Sequence, residues 1–436
     1  LVTAALGTGT CLFLYGTGRL LYGPGPGRAS PAGLAAALLY ALAPLAVQHG
    51  HFATVDVPAV FWISGALFFA ARHGEKGGRS LFWAGLWAGL AAATKYNAGL
   101  VLLAGAAAGW IKPAARGRAA TFVPLLGGAA LGFVIGCPGA LINPEGLWQG
   151  IQMEAAHVRG GHGLVFVNTP PGLIYHLVFN LRWGLGAPLL LLAVAGIVAA
   201  LLRRRPGDLV LLAFAVPYYL LIGLAEVKFA RYTLPLFPPL LLWAGALLTE
   251  REKVRRIAAW AGVAAAVYAL AFSLALDRTM TRPDPRDRAA AFLREAGVRS
   301  VGFATGPWFY SPPLHPGLAD FRPPVAKRNA LLAENPRLIP AEGEWNVAQL
   351  QQTAPDAVAL SELNEYADAL RARHPPALAY LDALRRDYPS VRVFASPVQV
   401  FGLRFTNVTG RLPDQGLPHD MLYTNPTTIV WMRSSR

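Results

Sequence analysis

ASPAGLAAALLYALAPLAVQHGHFATVDVPAVFWISGALFFAA, residues 29–71, contains a single Asp, Glu, Lys or Arg, and that residue is Asp56. Two apolar runs, 31–48 and 57–72, flank a short polar loop that holds Gln48, His49, His51 and Asp56. A membrane-crossing helix needs about 17 to 25 mostly apolar residues, fewer where it is broken or tucked inside a bundle. The stretch therefore reads as two spans joined by a tight turn, with the polar chemistry gathered at one membrane face.

The rest of the chain repeats this pattern. Only 14% of the 436 residues are charged and the mean hydropathy is +0.39, whereas a soluble domain carries about a quarter charged residues. Ten spans are predicted: 2–21, 31–48, 57–72, 81–94, 97–111, 119–138, 185–202, 208–225, 235–249 and 256–276. The pairs Gly85/Gly89 and Gly128/Gly132/Gly136 are spaced to bring helix backbones close together in lipid. Alternate loops carry fifteen cations against five in the other set. Basic loops stay cytoplasmic, so residues after 276 are expected outside. The net charge of +15 therefore does not point to nucleic acid, because its cations sit in short loops between apolar segments. Cys11 and Cys137 both fall in apolar segments and read as small packing residues.

The chain begins with Leu inside an apolar run, so a preceding segment is expected to be missing from it. Residues 143–180 read as a long outer loop. Within it Asn143-Pro144-Glu145 starts a helix whose Leu147, Trp148, Ile151, Ala155 and Val158 share one face, as in a helix lying at an interface. After Asp277 the pattern becomes that of a small α/β domain. Helices are expected at 285–296, 346–353 and 364–388, and strands at 298–304, 356–360, 391–395 and 398–405. Pro312-Pro313 and Pro323-Pro324 mark ordered loops, and Asn407-Val408-Thr409 matches a glycosylation sequon.

Three outer loops carry candidate chemistry. In the first, Asp56 stands two residues before Pro58 at the mouth of a helix, where its carboxylate is stabilised by the helix N-terminus or simply caps it. His49 and His51 with Asp56 also have the composition of a divalent-metal site. The second is Thr94-Lys95-Tyr96-Asn97, at the tip of a helical hairpin, where Lys95 either snorkels or holds an anion. The third runs from Glu226 to Pro235. Lys228 and Arg231, three apart, are expected to share one helical face and to suit a phosphate. The alternative is a surface pair with Glu226. Neither a Walker A nor a Rossmann glycine signature is present, so a nucleotide-driven pump is unsupported.

At these loops the sequence resembles the bacterial protein-mannosyltransferase and aminoarabinose-transferase class, GT-C glycosyltransferases of family 39 type. The points of match are His51-Phe-Ala-Thr-Val-Asp56-Val-Pro58, Ala92-Ala-Thr-Lys95-Tyr96-Asn97 and Lys228-Phe-Ala-Arg231-Tyr232-Thr-Leu-Pro235. Residues 284–314, with Arg-Asp-Arg-Ala-Ala-Ala-Phe-Leu and Phe309-Tyr310-Ser311-Pro312-Pro313, resemble the start of the extracytoplasmic domain in such proteins. The resemblance covers most of residues 1–315.

It implies a polytopic α-helical membrane protein: a GT-C-like bundle over 1–276, lacking the first span and first outer loop, and an extracytoplasmic α/β domain over 277–436. It implies a bacterial inner-membrane enzyme that transfers a sugar, with inversion, from a polyprenyl-phosphate donor to a protein, lipid or glycan acceptor at the outer face. Asp56 and His51 would take catalytic roles. Lys95, Lys228, Arg231 and Tyr232 would bind the donor phosphate, with His49, Tyr96 and Glu226 accessory. The resemblance fixes no cofactor and leaves a divalent metal open. The family's principal acid lies in the first outer loop, which this chain lacks, so these residues alone are expected to be inactive. A lipid-linked-sugar transporter and a non-catalytic scaffold are the competing readings.

Overall fold

The computed structural model describes residues 1–25, 28–76, 79–113, 117–314, 338–339, 341–406 and 416–433. The sequon at Asn407, the Pro323-Pro324 pair and Arg116 lie outside the described residues. The chain divides into two compact units, residues 1–160 with 170–273, and residues 161–169 with 274–436.

The first unit is mainly helical, and each of the ten apolar runs lies mostly in helix. Among the described residues, three helical runs are long and apolar enough to cross a membrane: Pro206–Gly223, Ala230–Thr249 and Glu252–Glu295. Counting each bent pair as one span raises the number to five. Pro31–Leu42 and Pro44–Gly50 meet at 61° across Ala43. The second pair, Gly172–Leu185 and Ala187–Arg203, meets at 119°. There Gly186 has φ +85°, and a Cβ would come within 2.9 Å of the Tyr268 ring. The 143–180 loop expected from sequence is therefore incomplete as a description. Its last part is the helical segment Gly172–Leu185, whose polar His176 and Asn180 obscured the apolar pattern.

Burial sorts the helices. All ten residues of Phe237–Ala246 are buried, so this helix forms the middle of the unit. Peripheral helices turn large apolar side chains outward, among them Leu12, Trp83, Trp110, Val123, Ile135, Leu191, Trp260 and Val267. A polar surface would face water, whereas this apolar one suits lipid, where helix association rests on close packing. The helices Arg79–Thr94 and Arg118–Gly136 provide that packing. A Cβ at Gly85 or Gly89 would strike the carbonyl oxygens of Leu125 and Ala129 at 1.9 and 2.1 Å. One at Gly128 or Gly132 would strike those of Phe82 and Leu86 at 2.1 Å. Four of the glycines predicted to allow close approach thus lie against the backbone of the other helix. At another point Tyr22 Oη donates to Asp208 Oδ1 (2.6 Å), and Arg203 bridges Asp208 and Glu250 at 3.3 and 2.7 Å. This fixes one end of the helix that begins at Pro206.

The second unit is an α/β domain. Strands β1 (Val301–Phe303), β2 (Leu338–Ile339), β3 (Ala357–Ser361), β4 (Ser390–Phe394) and β7 (Thr428–Met432) form one sheet, ordered β2-β1-β3-β7-β4. The β2-β1-β3 pairs are parallel and the β3-β7-β4 pairs antiparallel. Strand alternation sends Ala357, Ala359 and Val430 to the side of helix Pro285–Glu295. It sends Val358, Leu360, Ile429 and Trp431 to the side of helix Pro375–Asp387. Three sequence expectations are corrected here. The helix expected over 364–388 breaks at Arg373 (φ +51°), because Pro375 and Pro376 cannot continue it. The strand expected over 398–405 is a hairpin of β5 (Gln399–Val400) and β6 (Leu403–Arg404), turned at Phe401-Gly402, both at positive φ. Residues 161–169 group with this unit rather than with the helices that flank them in sequence.

Glu365 lies just after β3, 2% exposed. It accepts hydrogen bonds from Thr305 Oγ1 (2.6 Å) and the Ser361 amide. Burial pushes its carboxyl up to about 7, against smaller opposing contributions from those two bonds.

Two predictions follow from these contacts. Gly128→Val should lower the stability of the detergent-solubilised protein by about 1–3 kcal/mol or more, because a backbone carbonyl cannot move aside as a side chain can; an unchanged thermal midpoint would contradict this packing. A carboxyl raised in the folded state makes folding favour the protonated form. The C-terminal unit should therefore be most stable below the ordinary carboxyl value near 4.5 and lose roughly 3 kcal/mol as pH rises through about 7. Urea titrations read by exchange protection of β3 amides, corrected for intrinsic rate, should show this slope, and Glu365→Gln should flatten it.

Candidate active site

Asp56 is the first residue of helix Asp56–Lys76, where the exposed amides favour a negative charge. It is 4% exposed. Lys95 reaches it from the opposite direction. The helix Arg79–Thr94 ends there and Lys95 itself is extended (φ −155°, ψ 116°). The 3-10 helix Tyr96–Val101 then begins the return. This break sets the ammonium free of either helix, and Lys95 Nζ lies 2.8 Å from Asp56 Oδ1, with 17% of its side chain exposed. His49, 1% exposed, places Nδ1 3.8 Å from Asp56 Oδ2 and sets its ring edge-on to Phe52.

The third loop closes the group from another side. Tyr232 presents its ring face to Lys95 Nζ, 4.7 Å from the centroid, within cation–π range. Arg231 lies over Phe229 at 3.9 Å and beside Tyr232 at 5.6 Å, and acts on the Asp56 carboxylate through its charge. Tyr218, fully buried, donates to the Tyr232 carbonyl at 3.0 Å. The chain here is set by proline. Pro235 lies inside the 3-10 helix Ala230–Leu236, and Pro238 and Pro239 open the helix that follows. Missing amides disfavour a regular α-helix over these residues.

This geometry corrects two expectations. Lys228 and Arg231 do not share a helical face, since residues 225–229 are non-helical and the 3-10 helix begins at Ala230. Lys228 is buried, with its Nζ 3.9 Å from Glu226 Oε2, the pairing first given as the alternative. Its carbonyl accepts from Asn180 Nδ2 (2.8 Å), whose side chain also meets His176. His51 is exposed, and its Nδ1 lies 2.9 Å from the Val47 carbonyl. Of the two histidines, His49 is the one beside Asp56. Among the described residues no three His, Cys, Asp or Glu side chains assemble as a metal site.

A cavity of about 690 Å³ opens beside the pair. Lys95, Tyr96, Asn97 and Tyr232 line it from one side. Ile151, Glu154, Ala155, Val158 and Arg159 line it from the helix Pro144–Gly160. That helix starts as the sequence indicated, with Asn143 Oδ1 accepting from the Gly146 amide at 2.9 Å. Its far end is tied down by the Glu226 amide, which donates to the Val158 carbonyl at 3.1 Å. Trp148, read as part of the face that such a helix lays at an interface, is 60% exposed.

Residues 1–141, which include Asp56 and Lys95, match the family model described as dolichyl-phosphate-mannose-protein mannosyltransferase. Over this stretch the chain is protein-mannosyltransferase-like. No curated protein matches. Among solved structures, ArnT from Cupriavidus metallidurans bound to undecaprenyl phosphate is 14% identical with a TM-score of 0.46, over 98% of this chain and 82% of that one. Apo ArnT is 16% identical at 0.41, over 68% of this chain; the match spans 57% of that protein's length. The apo Archaeoglobus fulgidus oligosaccharyltransferase is 14% identical at 0.42, over 97% of this chain and 66% of that one.

Within the mannosyltransferase-like segment the sequence reading brought Asp56, His49 and Lys95 together, and beyond it Arg231 and Tyr232. It missed Tyr218, Asn180, Glu154 and Arg159. A tyrosine or asparagine in an apolar run is a visible signal, but the partner of each lies about 14 to 48 residues away in sequence and nothing local names it.

The Asp56–Lys95 pair should behave as a coupled unit. Asp56→Asn and Lys95→Met should each destabilise the protein by about 1–3 kcal/mol, below the usual cost of breaking a fully buried pair because Lys95 is partly solvated. The double variant should cost at least about 1 kcal/mol less than the sum. Strict additivity in urea or thermal unfolding would show that the two side chains are independent.

Proposed function

We propose that this protein is a membrane glycosyltransferase that moves a sugar from a polyprenyl-phosphate donor to an acceptor at the outer face, with inversion. The observation that carries this reading is a buried carboxylate–ammonium pair, Asp56 and Lys95 at 2.8 Å, beside a large cavity lined by Lys95 and Tyr232. Both members of the pair lie in the segment that matches the mannosyltransferase family model.

In this reading Lys95 and Arg231 receive the donor phosphate. An ammonium has three donors; Asp56 takes one and the rest are available to phosphate oxygens. Asp56 is then a positioning residue, holding the ammonium where charge develops on the leaving phosphate. Tyr232 fixes the other side of the same ammonium. The phosphate is already a good leaving group, so no general acid is needed at the bond that breaks. Lys228, tied to Glu226, and His51, turned to the Val47 carbonyl, stand further from this chemistry. The reading extends to the whole chain: ten spans, basic loops in the cytoplasm, a transferase bundle over 1–276 and an extracytoplasmic domain over 277–436.

Removing one preorganised donor to a developing oxyanion costs about 100- to 1,000-fold in turnover. Lys95→Met and Arg231→Gln should each lower transfer of a labelled sugar from a polyprenyl-phosphate donor by that order in proteoliposomes of the full-length protein, first outer loop included. Asp56→Asn should reduce it less than Lys95→Met. Full transfer by both cation variants would remove the basis of the proposal.

A further inference from the structure

We propose that His176 and Asn180, on the segment Gly172–Leu185, are positioning residues of the donor site: the pair fixes the non-helical stretch 225–229 and, through it, the Arg231 guanidinium that receives the donor phosphate. The inference rests on the transferase reading above and adds to it the device that holds one of its two phosphate-binding cations in place.

The helix Pro206–Gly223 and the 3-10 helix Ala230–Leu236 are separated by a break, and a break leaves carbonyls that no helical amide reaches. At membrane depth such a carbonyl needs a partner from elsewhere in the protein. Asn180 Nδ2 donates to the Lys228 carbonyl at 2.8 Å, and His176 Nε2 lies 3.2 Å from the Ile222 carbonyl. One pair of side chains thus holds the chain on both sides of the break. What it holds belongs to the site. Ile222, Ala225 and Tyr232 line the cavity that Lys95 also lines. Phe229, next to Lys228 and 2% exposed, is the ring on which the Arg231 guanidinium lies at 3.9 Å. Fixing the Lys228 carbonyl therefore fixes the platform of the cation.

The pair is itself set with care. His176 and Asn180 are 0% and 1% exposed and sit in a π-helical turn over His176–Leu181, a departure from the α-helix that recurs at functional sites. A carbonyl only accepts, so His176 Nε2 is the donor to Ile222. Its Nδ1 is then the acceptor, and Asn180 Nδ2 meets it at 2.8 Å. Asn180 spends one amide hydrogen on the ring and the other on the Lys228 carbonyl, so the ring decides which way the amide faces. The segment beneath them is anchored independently. A Cβ on Gly172 would come within 2.5 Å of the Gly223 carbonyl oxygen, one on Gly223 within 2.2 Å of the Leu173 side chain, and Tyr219 donates to the Leu173 carbonyl. Those contacts dock the segment on helix Pro206–Gly223 without any help from two buried polar side chains, which are costly in an apolar run. What His176 and Asn180 add is the tie to Lys228.

The test uses the full-length protein, first outer loop included, in proteoliposomes. Unlabelled polyprenyl phosphate is the binding probe, radiolabelled polyprenyl-phosphate hexoses and pentoses are the donors, and membrane extract is the acceptor. Asn180→Leu is expected to weaken polyprenyl-phosphate affinity at least about tenfold and to lower transfer by up to about 100-fold, the cost of an ångström-scale misplacement. Made in the Arg231→Gln background, the same substitution should change affinity by no more than about twofold, because the group through which it acts is already gone. His176→Leu should reproduce the loss, and His176→Gln, which keeps a donor for the Ile222 carbonyl, should recover part of it. Should one of the leucine variants fail to fold, the other carries the comparison. Affinity within about threefold of the unaltered protein in the folded variants would overturn the inference and leave the transferase reading standing. Equal losses with and without Arg231, or failure of both leucine variants to fold, would overturn it too, by assigning the pair to bundle stability. Absence of both binding and transfer by the unaltered protein would remove the transferase reading, and this inference with it.

Discussion

The buried ion pair of Asp56 and Lys95 is the constraint around which the membrane unit is arranged. Two charges taken from water into an apolar bundle are costly unless each meets the other with good geometry. At 2.8 Å, with the helix N-terminus behind the carboxylate and the Tyr232 ring beside the ammonium, that condition is met. The pair also explains a local irregularity. Lys95 reaches Asp56 because the chain breaks between two helices there, which gives the otherwise unfavourable break a use. The bend between Pro31–Leu42 and Pro44–Gly50 similarly brings His49 to the same carboxylate.

Rigid surroundings hold this arrangement in place. The helix that leads to Lys95 packs backbone to backbone against Arg118–Gly136 through glycines on both helices, so its end has little freedom. The loop from Glu226 to Tyr232 is held by Asn180 on the Lys228 carbonyl and by Tyr218 on the Tyr232 carbonyl. Each of these polar side chains sits in an otherwise apolar run, and each is satisfied by a backbone carbonyl that the non-helical chain leaves unused. Irregular backbone at membrane depth is tolerated where side chains complete its hydrogen bonds.

Much of this was legible in residues 29–71 alone: the apolar runs, the solitary Asp56 and the polar loop beside it. Apolar runs are local properties, so each predicted run proved mostly helical. What the sequence concealed depended on distant partners or on broken helices. Lys228 and Arg231 at three-residue spacing suggested a shared face, but Pro235, Pro238 and Pro239 impose a different backbone. His51 was expected in a catalytic role and His49 in an accessory one, but His51 turns back to the Val47 carbonyl and His49 is the ring beside Asp56. Residues 172–180 were read as loop because His176 and Asn180 interrupt the apolar pattern, although both are buried.

The two carboxylates near the cavity differ in environment. Asp56 is buried and held by Lys95 at 2.8 Å, so its position is fixed from two sides, by the ammonium and by the start of its own helix. Glu154 is solvent-accessible at the wall of the cavity that Lys95 also lines, on a helix tied by the Asn143 cap at one end and by the Glu226 amide at the other. Rigid backbone thus carries both acids, one turned into the bundle and one turned to solvent.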